Sequence, residues 1–122
     1  MAENDFRVIV KAEELAEHSL RVSSNCNRYP KKFLYSIVAR IQNRSLDIYD
    51  NLMEANRTNN VREKQKRCEL ITQAIMDCDR LSFYVKLSKN LGFLSDGTME
   101  HWQKMISDVK YMSIAWRTKE RQ

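Results

Sequence analysis

Four segments of this 122-residue chain carry apolar and small residues at alternating steps of three and four. In the first, Val8, Ala12, Leu15, Ser19 and Val22 step by 4, 3, 4, 3. In the second, Val38, Ile41, Ser45, Ile48, Leu52 and Ala55 step by 3, 4, 3, 4, 3, and Leu34 extends the row backwards. The third holds Cys68, Ile71, Ile75, Cys78, Ser82 and Val85 at the same steps, widened by Leu81 and Tyr84, with Leu91 placed to prolong it. In the fourth, Met99, Trp102, Ile106, Val109, Ser113 and Trp116 form the cleanest row. Such spacing lays side chains along one stripe of an α-helix and fits no strand. A helix with one apolar stripe must bury it against another.

Turn signals fall between the stripes. Only two glycines and one proline occur, too few for the many tight turns of a sheet-rich fold. Asn4 or Asp5 can cap the first helix, because a short polar side chain accepts from the orphan amides of the first turn. Pro30 suits the first turn of the second, where its missing N–H costs nothing. Gly92 stands where the third needs a left-handed residue to stop, and Ser95 or Thr98 can cap the fourth. The expected architecture is all-α: one domain over residues 1–122, an antiparallel up-down-up-down four-helix bundle with helices at about 5–24, 30–56, 61–90 and 96–118.

No residue set converges on catalysis. His18 and His101 lie on different helices without a paired ligand motif. Glu13, Glu14 and Glu17 bring to mind a di-iron carboxylate bundle, but that class needs a Glu-x-x-His pair from each of two helices. Cys26, Cys68 and Cys78 lack Cys-x-x-Cys spacing and read as free thiols in a reducing cytoplasm. No Gly-rich phosphate loop is present. The expectation is a chain that is not an enzyme and carries no metal or cofactor. No apolar run approaches the roughly 18 residues of a membrane span, and Met-Ala-Glu-Asn-Asp lacks the basic and apolar regions of a signal peptide. The chain is therefore read as cytoplasmic.

Charge is the feature that folding leaves over. Lys plus Arg number 21 against 16 Asp plus Glu, a balance that favours polyanionic partners. An antiparallel bundle gathers Arg21, Arg28, Lys31, Lys32, Lys86 and Lys89 at one end, against Asp96 and Glu100. Arg40 and Arg44 continue that surface before the helix turns acidic at Asp47, Asp50 and Glu54. Lys31 and Lys32 open a helix, where the macrodipole disfavours cations. A phosphate would reverse that penalty. Arg62, Lys64, Lys66 and Arg67 repeat the anomaly in the third helix, diluted by Glu63 and Glu69. Arg117 and its basic neighbours close a helix, where the macrodipole favours them. Off the stripes lie Tyr35, Tyr49, Met53, Met105, Tyr111, Met112 and Ile114. That excess of apolar surface predicts an oligomer interface or a protein partner, with Tyr49, Met53, Met105, Tyr111 and Met112 as its residues.

Three stretches carry a resemblance: Asn-Arg-Tyr-Pro-Lys-Lys opening the second helix, Cys-Asp-Arg-Leu-Ser-Phe-Tyr-Val-Lys-Leu on the third, and Met-Ser-Ile-Ala-Trp-Arg closing the fourth. With them the chain resembles, over nearly its whole length, the accessory variability determinant proteins of diversity-generating retroelements. These belong to a wider four-helix-bundle family that includes proteins encoded in ribosomal RNA intervening sequences. The resemblance implies a homopentamer with a basic surface that binds RNA or DNA and the retroelement's reverse transcriptase, and that assists mutagenic copying of a template RNA into complementary DNA. Lys31, Lys32, Lys86 and Arg117 would fall in its basic segments. Together, charge and resemblance nominate Arg28, Lys31, Lys32, Arg40, Arg44, Lys86 and Arg117 for nucleic acid. The alternative is an oligomeric interaction or structural bundle whose charge serves solubility.

Overall fold

The structure, a computed structural model, describes residues 3–122, with side chains from Phe6 onward. The expected cap at Asn4 or Asp5 lies outside the described side chains. Four long helices form: α1 (Glu3–Ser23), α2 (Ala39–Arg57), α3 (Lys64–Asn90) and α4 (Asp96–Glu120). No strand occurs among the described residues. Short connections turn each helix back on its predecessor, and α4 returns to pack on α1, which closes a four-cornered bundle.

The stripes meet on the bundle axis. Leu15, Ile41, Ile48, Leu52, Ile71, Leu81, Val85 and Trp102 are completely buried. Each such side chain contributes about 1.5–3 kcal/mol through loss of its water-exposed surface. Small serines fill the narrow places, and Ser19, Ser45, Ser88 and Ser113 are all inaccessible. The α3 stripe runs along Ile71, Ala74, Ile75, Cys78 and Leu81, while Cys68 and Ser82 are only half-buried.

The second helix departs from its expected form. Instead of one α-helix from Pro30, a 3₁₀ turn (Lys31–Phe33) and a π turn (Leu34–Val38) precede α2. Pro30 stands before the first turn, at φ −58° and ψ 145°. The cause is a plug of aromatic rings at this end. Tyr29 is 3% exposed, and both its ring and that of Phe33 lie 5.2 Å from Phe93. The wider π turn then absorbs the mismatch between plug and stripe. Leu34 is thereby turned out of the stripe to 47% exposure, while Ile37 and Val38 go inward.

The third helix starts at Lys64 rather than Val61. Asn59 accepts from the amides of Val61 and Arg62 at 2.8 and 2.9 Å, holding a turn where helix was expected. Gly92 ends α3 with φ +86°, donating to Lys89 O at 3.0 Å while Phe93 donates to Ser88 O at 2.9 Å. This paired pattern is the Schellman stop that the glycine predicts. Leu91 is 46% exposed and does not prolong the core face. Ser95 caps α4, its hydroxyl accepting from Thr98 N at 3.2 Å.

Candidate nucleic-acid interface

The basic end is built by the close of α1, the aromatic plug, the turns before α2 and the close of α3. Lys31 and Lys32 are exposed on the 3₁₀ turn and have no carboxylate partner among the described residues. Lys32 Nζ lies 5.4 Å from the Phe33 ring centre. Lys86 is exposed and likewise unpaired among the described residues, and Arg40 meets only the Tyr84 hydroxyl at 3.5 Å. Arg28, half-buried, donates to Thr98 Oγ1 at 3.4 Å. Lys89 differs, because Asp96 neutralises it at 3.1 Å.

Two nominated cations stand elsewhere. Arg44 lies 3.1 Å from Asp47 and 3.7 Å from Asp77, a carboxylate 1% exposed. Asp77 also accepts from Arg80 at 2.9 Å and Asn51 at 3.2 Å. Arg44 is thus held in an ion-pair network between α2 and α3, and its charge is spent there. Arg117 donates to Thr72 Oγ1 at 3.1 Å, at the far end of α4. It is about 19 residues, hence about 28 Å, from Thr98. A second basic cluster surrounds that end, where Lys64 Nζ meets the Gln122 carbonyl at 3.0 Å beside Arg121. Periodicity could not show this meeting of Gln122 with α3. Lys66 pairs with Glu63 at 3.9 Å, and Arg67 is buried, so the expected phosphate-binding group at the start of α3 is thinned.

A cleft of about 700 Å³ opens beside Lys31. Pro30, Leu34 and Tyr35 form part of its wall, with Ser23, Ser24 and Gln42 opposite in kind. Gln42 donates to Ser23 Oγ at 3.0 Å, tying α2 to the close of α1. No carboxylate lines the cleft. Tyr35 is 92% exposed, the most open large hydrophobic side chain among the described residues. Its spacing puts Tyr35 off the apolar stripe, and the fold leaves it open to solvent four residues beyond Lys31.

Of the residues nominated for oligomerisation, Tyr49, Met53, Met105 and Met112 are half-buried and pack against the core of their own bundle. Tyr111 remains 63% exposed. A separate apolar groove, with Phe33, Ile37, Phe83, Leu87 and Leu91, runs between the π turn and α3.

No group of three or more metal-ligating side chains occurs among the described residues. Cys78 is fully buried, and burial, followed by Asp79 and Asp77, pushes its thiol up to about 12. His18 and His101 do meet across α1 and α4, with ring centres 5.3 Å apart. Burial chiefly lowers the His18 pKa, with further lowering from His101 and Arg21. The fold therefore favours neutral His18. As pH falls, the unfolded chain takes up this proton first, near 6.5, so stability is lost from about pH 6.5 down to the lower folded pKa. The melting temperature is expected to drop as pH falls below about 6.5, and His18→Gln to flatten that drop. An unchanged drop in the variant would assign it to other groups.

No family model matches the chain, and no curated protein matches it. Among solved structures, it is similar to a protein of unknown function from the S23 ribosomal protein family of Bacteroides thetaiotaomicron. The two share 14% identity and superpose with a TM-score of 0.80 over 94% of this chain and 98% of that one. At that identity the likeness shows a shared four-helix-bundle fold. No helix among the described residues is long and apolar enough to cross a membrane.

Proposed function

We propose that this chain is a non-catalytic, nucleic-acid-binding accessory subunit that acts in the cytoplasm beside a retroelement reverse transcriptase, in mutagenic copying of a template RNA into complementary DNA. The observation that carries the nucleic-acid part is the cluster of Arg28, Lys31, Lys32, Arg40 and Lys86 at one end, without a carboxylate partner among the described residues. Of the cations gathered at this end, Lys89 is neutralised by Asp96 at 3.1 Å, and these five are left open to a partner. Exposed unpaired lysines release counterions from a phosphate backbone on binding. The reverse transcriptase and the copying reaction rest on the sequence resemblance.

Anisotropy of labelled RNA and DNA oligonucleotides, titrated over a range of salt, tests the reading. Wild-type affinity is expected to fall steeply with salt. Lys31→Glu with Lys32→Glu is expected to weaken binding at low salt and to flatten the logarithmic salt slope by roughly 1.4, about 0.7 per lost phosphate contact on a single strand. Arg44 is left out of the test, because its reversal would place a carboxylate beside Asp77. Absence of binding by the wild type at low salt would end the proposal.

The apolar groove between the π turn and α3, together with exposed Tyr111, favours a second reading as an oligomeric interaction bundle. Light scattering separates the two. A stable oligomer with no affinity for oligonucleotides supports the second alone, and a monomer speaks against the pentamer.

A further inference from the structure

We infer that Tyr35 and the cleft beside it form a stacking site for an unpaired base, so that the basic end selects single-stranded over double-stranded nucleic acid; this rests on the nucleic-acid reading above. Tyr35 is 92% exposed on a π turn that also turns Leu34 outward. An exposed tyrosine on a regular helix would be unremarkable. Here Tyr35 lines a cleft that also includes Lys31, and no carboxylate lines it. The cleft combines flat apolar surface, from Tyr35 and Pro30, with the Gln42 carboxamide, whose nitrogen donates to Ser23 Oγ at 3.0 Å and whose oxygen is left to meet a base edge.

That combination matches a nucleobase, which has two apolar faces and a polar edge. The phosphates on either side of a base so held would meet Lys31 and Lys32. Stacking on an aromatic ring needs a base free of its neighbours, and a duplex does not offer one without unpairing. Single-strand binders join a cationic track to such rings, with stacking accounting for roughly 5- to 150-fold in affinity per base.

The test uses the full chain with a labelled 20-nucleotide single strand and the duplex of the same sequence, at low salt. Wild type is expected to bind the single strand more tightly. Tyr35→Ala is expected to lose roughly 5- to 150-fold on the single strand, with little change on the duplex and an unaltered salt slope. Tyr35→Phe is expected to stay near wild type, since it keeps the ring. Tyr35→Trp supplies a direct reading, because the chain's own indoles at Trp102 and Trp116 are 0% and 3% exposed. Its exposed emission is expected to quench on adding the single strand. Circular dichroism melts check that these variants fold, which the exposure of Tyr35 favours.

Wild-type affinity for Tyr35→Ala, or equal binding of duplex and single strand, overturns the stacking site. If Lys31→Glu with Lys32→Glu still weakens binding in that case, the nucleic-acid reading stands without it. If wild type binds neither oligonucleotide, both readings fail together.

Discussion

Trp102→Ala is expected to destabilise the bundle by about 3–5 kcal/mol, the range for removing a buried indole from a packed core. Trp102 has no exposed surface. Its Nε1–H donates to Ser19 Oγ at 3.0 Å, and the His18 ring meets it edge-on at 5.7 Å. Alanine would open a cavity between α1 and α4 and leave the Ser19 hydroxyl without its donor. Trp102→Phe keeps most of the volume and loses only that hydrogen bond, so it is expected to cost about 1–3 kcal/mol. Urea unfolding followed at the helix band of circular dichroism measures both. A loss below about 1 kcal/mol for Trp102→Ala would mean that the α1–α4 seam collapses to fill the gap.

Arg67→Ala is expected to cost about as much, in the range of about 3–5 kcal/mol for breaking a buried ion pair on one side. Arg67 is 6% exposed and joins three helices at the end opposite Lys31. It donates to Ala55 O at 3.1 Å and Thr58 O at 2.9 Å, closing the carbonyls at the end of α2. It pairs with Glu120 at 2.9 Å and lies 5.1 Å from the Trp116 ring. Without it, Glu120 stays nearly buried with only the Trp116 Nε1–H bond at 2.9 Å. Arg67→Lys is expected to recover only part of the loss, since an ammonium cannot reproduce the guanidinium's planar fork of donors. The same urea titration decides, and equal stability of Arg67→Lys and wild type would show that charge alone suffices.

Both residues bear on how legible the protein was. Trp102 stood on the cleanest stripe, and its burial followed from spacing alone. Arg67 read as one of several cations opening the third helix, a candidate for phosphate. Its three partners come from α2, the turn after it and α4, separated from it by 9 to 53 residues. No local pattern announces such a meeting. Arg44 makes the same point, since Asp77 lies on another helix. Of the seven nominated cations, five share the end that carries the cleft. Arg117 stands at the other, because α4 carries it about 28 Å away.

What the sequence by itself determined is the set of four helices, their short connections, the Gly92 stop, a cap for α4 at Ser95 or Thr98, and nearly all of the core. These depend on contacts within a turn or on a 3.6-residue repeat, which the order of residues states directly. The tertiary structure alone decided the Tyr29–Phe93–Phe33 plug, the π turn beside it, and the outward placement of Leu34. It also decided which cations are neutralised and which stay open to a partner. The reason is physical: helical periodicity encodes which face turns inward, whereas ion pairing and irregular turns depend on distances between segments far apart in the chain.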